Sequence, residues 1–419
     1  MKKITLFGIA TTLLVQLSAP SFAADQVTVD RAEYEQLKAA VAMMLEERAE
    51  AKANAKKTHE LATAAKKSAD EATIVAEAAV EAAESSLSST LNKVTLGGYG
   101  EVHYNNLQAD DSQYDKEESD IHRFVLFAGY EYSDSIRFYS EFEIEHGVAG
   151  EGKNGEVEVE QAFIEWDFAE NSSALAGVFL IPVGIMNETH EPDTFYGVER
   201  NSVENVIMPG TWWEIGTMIT QRFDSGLKLE VAAHSGLKIP TSGSSTHRIR
   251  SGRQKASNAD THELAYTVAA TYTGIAGLEV GGAIQYQEDV TQVKNDGMEE
   301  GVLWTTHLIY NKGAMGLRAL YAEWDFDGDA VKVANNDKQY GWYIEPSFKA
   351  TEKVGLFGRF EEVRGARTQD RFEQVSLGMN YWLHPNVVLK LDWADRKHDV
   401  TSAEGRDYDG YNLGVGWSF

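Results

Sequence analysis

Tyr411-Asn412-Leu413-Gly414-Val415-Gly416-Trp417-Ser418-Phe419, the last nine residues of the chain, carry the pattern that decides the fold. Tyr411, Leu413, Val415, Trp417 and Phe419 alternate with Asn412, Gly414, Gly416 and Ser418. Successive side chains of a strand point to opposite faces, so one face here is aromatic and aliphatic and the other small and polar. Two readings fit such a strand taken alone. It is either a membrane strand with its apolar face toward lipid or the last strand of a soluble sandwich.

The N-terminus bears on the compartment. Lys2 and Lys3 precede an apolar run from Ile4 to about Leu17, and Ser21-Phe22-Ala23 supplies the small residues of a processing site. Residues 1–23 therefore read as a secretory signal peptide, cleaved after Ala23. The apolar run is too short for a spanning helix, and no later stretch approaches the roughly 20 apolar residues one needs. Any membrane is crossed by strands or not at all. The chain has no cysteine, so an exported protein of this size relies on hydrogen bonds and packing, as a closed barrel does. A net charge of −27 excludes a nucleic-acid partner and weighs against a specific anion carrier.

Residues 24–92 differ from the rest. From Val29 to Ser89 the sequence is rich in Ala, Glu and Lys and has neither Gly nor Pro, a helical composition. A 3-4 spacing runs through Tyr34, Leu37, Val41 and Met44 and on through Ala51, Ala55, Ala62, Ala65, Ala69, Ala72, Ala76, Ala79 and Ala83. Such a seam of small residues suits a periplasmic coiled coil, with a lone Ala-rich helix as the alternative. Ser85–Thr90 reads as a hinge.

After Lys93 the period changes to two, and residues 93–419 divide into sixteen candidate strands. Tight polar turns such as Asp224-Ser225-Gly226 and His384-Pro385-Asn386 alternate with long loops at 107–120, 185–210, 236–260, 290–300, 327–336 and 397–406. A soluble sandwich gives no reason for that alternation, whereas outer-membrane barrels have short periplasmic turns and long outer loops. The expected fold is all-β, a 16-stranded antiparallel transmembrane β-barrel preceded by an α-helical coiled-coil segment. A chain ending on Phe419 also resembles the closing strand of bacterial outer-membrane barrels, and that resemblance implies that Phe419 is read by the barrel-assembly machinery.

With Phe419 set toward lipid, the alternation sorts earlier strands into two faces. Leu389, Leu391, Trp393, Val375, Leu377, Met379, Tyr340, Trp342, Ile344, Phe138 and Phe142 fall on the lipid face. The opposite wall carries Glu101, Glu141, Glu143, Glu165, Glu214, Glu361 and Asp392 against Arg123, Arg137, Arg222, Arg318, Arg359 and Lys390. Sixteen strands enclose an aqueous channel, and the acid excess predicts a weak cation preference.

Met186–Gly210 is the best-patterned long connection. Its NETHEPDTFYGVER segment, the IPVG before it and the MPGTWWE after it resemble the phosphate-selective porin O and P family, most clearly over residues 175–216. That resemblance implies a trimeric porin whose loop folds inward to a constriction formed here by Glu188, His190, Glu191, Asp193, Glu199, Arg200 and Glu204. The family's arginine ladder and lysine cluster have no counterpart, which leaves phosphate specificity unsupported. Arg248, Arg250, Arg253 and Lys255 form one basic cluster, suited to gathering anions at the mouth, to a solvated loop or to lipopolysaccharide.

The histidines, among them His103, His122, His146 and His190, are dispersed without metal-ligand spacing. No motif places a nucleophile with a base, so neither an enzyme nor a cofactor is expected. The reading is a porin for small hydrophilic solutes and ions, with an anion-selective porin as the alternative. A structural tether, its helix on peptidoglycan and its barrel a mere anchor, is the second alternative. The expected partners are two further copies, outer-membrane lipid and lipopolysaccharide.

Overall fold

In a computed structural model of the chain, residues 93–293 and 297–419 are described, together with Lys38. The expected signal peptide, and the expected coiled coil apart from Lys38, lie outside the described residues.

Sixteen strands close into one antiparallel barrel. They are β1 (Val94–Ala109), β2 (Lys116–Ser133), β3 (Ile136–Glu145), β4 (Val157–Ala169), β5 (Ser172–Leu180), β6 (Trp213–Arg222), β7 (Leu227–Ser235) and β8 (Leu264–Ile275). They continue as β9 (Leu278–Gln287), β10 (Gly301–Lys312), β11 (Met315–Phe326), β12 (Lys338–Lys349), β13 (Val354–Arg364), β14 (Arg371–His384), β15 (Val387–His398) and β16 (Tyr408–Ser418). Two short helices, α1 (Val203–Val206) and α2 (Asp329–Val333), sit in loops. Each strand pairs with its chain neighbours, and β1 meets β16 with His103 opposite Gly414. Phe419 completes the closure, donating to Gly98 O at 2.9 Å and accepting from Gly98 N at 3.0 Å. Closure leaves no sheet edge unpaired, the condition for strands to stand in lipid.

The outward alternation holds as read. Leu389, Leu391, Trp393, Val375, Leu377 and Ile344 are exposed, and Phe419 is 61% exposed. Outer aromatics stack laterally, Trp304 on Tyr321 at 4.8 Å and Tyr321 on Tyr340 at 6.3 Å, in the manner of an interfacial girdle.

Three expectations change. The loop foreseen at 107–120 shrinks to 110–115, because β1 and β2 extend their ladder to the Leu107–Lys116 pair. β5 stops at Leu180, ahead of Pro182, which has no N–H for a ladder. The third change concerns the lumen. Its wall is polar around β1–β4 and β13–β16, whereas the inward face of β6–β12 mixes buried polar groups such as Glu230, His234, Gln285 and Gln339 with small or apolar side chains. Met218, Ala232, Ala269, Ala283, Leu303, Leu320, Ala322 and Trp324 pack there against Ile181, Val183, Val203, Ile207 and Trp212 of the long loop. Leu237, Ile239 and Ile249 enter from the 236–263 connection, and Val290 and Met298 from the one after β9. Part of the lumen on this side is thus filled by a dry core rather than water, each large side chain contributing about 1.5–3 kcal/mol.

Trp324, fully buried and donating from Nε1 to Ile207 O at 3.0 Å, ties loop to wall within this core. Trp324→Ala should cost about 3–5 kcal/mol, read as an earlier loss of the folded band in a heat-modifiability series. Trp393→Ala, on the lipid face, should leave that transition nearly unmoved.

Candidate functional site: the lumen loop and its seat

The connection from Ile181 to Trp212 crosses the lumen. A loop inside a barrel has backbone groups that no ladder satisfies, so each needs a partner from the wall. The wall residues picked out from the alternation supply many of them. Asp392 accepts from Val198 N at 2.6 Å, and Glu361 accepts from Ser202 N at 3.0 Å and Ser202 Oγ at 2.8 Å. Arg318 donates to Thr194 O at 2.7 Å, and Arg359 donates to Tyr196 O at 2.7 Å while held by Glu345. Lys390 places its ammonium 3.4 Å from the Phe195 ring centroid. Glu214, wholly buried, accepts from Trp212 Nε1 at 2.9 Å and Ser235 Oγ at 2.5 Å. These groups seat the loop more than they line free water.

The small face of β16 is part of the same seat. A Cβ on Gly416 would lie 2.4 Å from Pro192, and one on Gly414 would lie 3.2 Å from Val198. Ser418 donates to Asp193 at 3.2 Å, and Asn412 bridges Asp392 at 2.7 Å to Asn105 at 2.8 Å. Glycine at 414 and 416 is therefore a clearance for the loop.

Of the loop's own candidates, Glu204 is internal. It accepts from Ile185 N and Met186 N, both at 2.6 Å, which folds the loop on itself, and from Tyr343 OH of β12 at 3.1 Å, which ties it to the wall. Arg200 likewise donates to His190 O at 3.1 Å and Thr211 Oγ1 at 3.2 Å.

Polar cavities remain on both sides of the loop. Toward the long-loop rim, one of about 350 Å³ is lined by Glu199, Arg200, Arg359, Asp392, Arg396 and Tyr408. A second of about 260 Å³ shares Glu199 and Arg200 and adds Glu101, His103, His122, Arg123, Glu160, Arg250 and Arg253. Toward the short-turn rim lie one of about 370 Å³, with Arg137, Glu141, Glu165, Glu188, His190 and Glu191, and one of about 720 Å³, with Glu188, Arg222, Lys228 and Arg318. Asp193 lines a third on that side.

Several charges in these cavities are paired. Arg123 lies between Glu101 at 2.7 Å and Glu143 at 3.3 Å, and Arg137 engages Glu165 at 2.8 Å and Asp167 at 2.6 Å. Burial works to raise the Glu199 carboxyl, but the His103 imidazole 3.3 Å away overrides it and holds that group well below the usual range. Arg250 and Arg253, expected at the mouth, instead turn inward and donate to Gly210 O and Thr211 O, each at 2.5 Å. Burial, then the neighbouring Arg253 and Arg248, pushes Arg250 down to about 9.

Two inward residues, His122 and Glu160, escape a strict alternation. His103 and His122 stack with ring centroids 4.4 Å apart, and His122 meets His146 edge-on at 5.8 Å. They stand on β1, β2 and the end of β3, neighbours across the sheet rather than along the chain. His122 is the extra residue of a bulge where Glu101 and Val102 pair with Arg123 and Ile121. Glu160 is the extra residue of another, where Glu141 and Phe142 pair with Gln161 and Val159. Alternation carried back from Glu165 would turn Glu160 to lipid; the bulge turns it into the lumen, 1% exposed.

No family model matches the chain. Its barrel has the fold of the sixteen-stranded outer-membrane porins. It superposes on an anion-selective porin of Comamonas acidovorans with a TM-score of 0.56 at 13% identity, covering 78% of this chain and 99% of that one. OmpF of Salmonella typhi, in complex with daunomycin, gives 0.54 at 14% identity, and the outer membrane channel DcaP of Acinetobacter baumannii 0.51 at 14%, each over 78% of this chain and 97% of the other. An uncharacterised protein of Aquifex aeolicus (strain VF5) is 30% identical over 370 residues, 78% of this chain and 80% of that protein. The chain belongs to the family of that protein.

Gly416→Val should unseat the loop by crowding Pro192 while leaving the ladder intact. The expected result is larger or noisier single-channel current than wild type, with an unchanged folded band on a gel. An unaltered current would show that the β16 clearance does not hold the loop.

Proposed function

We propose that the protein is an outer-membrane porin through which small hydrophilic solutes and ions diffuse passively. The observation that carries this reading is the inward loop of residues 181–212, which narrows a lipid-facing barrel between polar cavities on both sides. The exposed apolar band suits outer-membrane lipid, and a homotrimer would bury part of it. Carboxylates exceed fixed bases only modestly around the cavities, which favours a weak cation preference over strong selectivity. Convergence of Arg123, Arg200, Arg250 and Arg253 on one cavity supports the anion-selective alternative, in keeping with the resemblance to the porin O and P family.

Reversal potentials of the purified protein in a salt gradient across planar bilayers test this. A small cation-leaning potential, unchanged by phosphate and retained after deletion of residues 26–90, is expected. A strong anion potential would transfer the assignment to the alternative, and absence of conductance would favour a tether.

Glu188 gives the preference a pH dependence. Removal from bulk water inside the barrel, then the Glu230 carboxylate, pushes it up to about 7; Glu279 adds to this, and Lys228 and His307 oppose it. It gains charge as pH rises through neutrality, so cation preference should increase between pH 6 and 8. Glu188→Gln should flatten that rise.

A further inference from the structure

Glu141, Glu160 and His190 come together from β3, the β4 bulge and the lumen loop, and all three are at most 3% exposed. Their nearest donor atoms lie within 4.8 Å of one another. Glu141 Oε1 stands 3.6 Å from His190 Nε2, and Glu160 Oε2 stands 4.0 Å from it. Both separations are too long for hydrogen bonds, and both carboxylate oxygens are buried without any hydrogen-bond partner. The other Glu141 oxygen accepts from Gln161 at 2.6 Å, which fixes the orientation of that carboxylate.

The imidazole is also oriented. His190 Nδ1 lies 3.1 Å from Asn187 O. A ring that donates Nδ1–H to a carbonyl presents the Nε2 lone pair at its other side, the arrangement usual behind a metal-bound histidine. Here that lone pair faces two carboxylate oxygens. Two carboxylate oxygens and the ring lone pair converge there without a hydrogen bond to any donor among the described residues, and Arg123 is engaged by Glu101 and Glu143. Buried groups so placed require a cation or protons between them.

We propose that Glu141, Glu160 and His190 bind a divalent first-row transition metal, with zinc as the representative ion. Oxygen and nitrogen ligands about 2.0–2.2 Å from zinc stand roughly 3.3–3.6 Å apart in a tetrahedron. The His190–Glu141 spacing of 3.6 Å already matches, and Glu160 has to close by about half an ångström toward His190, its oxygen lying within 4.8 Å of that of Glu141. One imidazole with two carboxylates suits zinc or manganese better than calcium, which prefers six to eight oxygens. Glu160 lines a cavity on the long-loop side, and Glu141 and His190 line one on the short-turn side. The metal would thus pin the loop to the β3–β4 wall between two cavities. The site depends on side-chain geometry and stands whether or not the barrel conducts.

The test is zinc binding to the folded full chain, purified in detergent without a polyhistidine tag and stripped with chelator. Calorimetry and metal analysis of the dialysed protein would be read together. His122 belongs to both other groups of potential ligands, His103–His122–Glu199 and Asp120–His122–His146, so His122→Ala serves as the control. The expected result is one tight equivalent in wild type, retained in His122→Ala and weakened at least about tenfold in the isosteric Glu160→Gln and in His190→Ala. Heat-modifiable mobility confirms that each variant is folded. No tight equivalent in wild type would overturn the proposal and leave protons to balance the carboxylates. An equivalent lost in His122→Ala but kept in Glu160→Gln would overturn it by moving the metal to the histidine stack. Displacement of zinc by an equal concentration of calcium would overturn the assignment to a transition metal.

Discussion

A loop inside a barrel has no ladder to join, and every N–H and C=O it brings into the lumen has to be answered there. Residues 181–212 meet this constraint with wall side chains on β11, β13, β14 and β15 and with their own Glu204 and Asn187. Most of the internal organisation follows from it. Charged groups that alternation alone would assign to solvating a pore act as acceptors and donors for loop backbone. The small face of β16 is small because the loop lies against it.

The second organising fact is the division of the interior. Apolar side chains of inward-folded connections fill part of the side bounded by β6–β12, and the polar cavities toward the long-loop rim border β1–β4 and β13–β16. Toward the long-loop rim the polar space therefore has one charged wall rather than a ring. Arginines of two loops then face carboxylates of β1, β3 and β4 across a short gap. A transverse arrangement of this kind acts on a solute's dipole as well as on its net charge.

Much of the fold was legible because a barrel's signals are local. Alternation around Leu389, Leu391 and Trp393, and turns such as His384-Pro385-Asn386, need no tertiary knowledge to place strands and faces. The site was legible only in part. Asp392, Arg359 and Glu361 were rightly turned inward, yet their role as anchors depends on where the loop goes, which no periodicity reports. His103, His122 and His146 looked dispersed at spacings of 19 and 24 residues, because the neighbour that matters stands on the next strand. Glu160 was missed for a sharper reason: one extra residue in β4 reverses the alternation behind it, and a bulge leaves no mark in hydropathy. The apolar filling of the lumen was hidden as well, since an inward alanine or leucine reads the same whether it meets water or another loop.

The one-sided core also bears on how the chain reaches its closed form. Its wall residues come from consecutive strands, and its inserted segments are the connections between or just before those strands, so much of the packing joins residues close in sequence. The ladder between β1 and β16 joins residues about three hundred apart. Contacts of short separation form with less loss of chain entropy than contacts that join the ends. The dry side can therefore gather while the sheet is still open. The seam between β1 and β16 joins the residues most distant in sequence, and closing it brings Gly414 and Gly416 against Val198 and Pro192 of the loop.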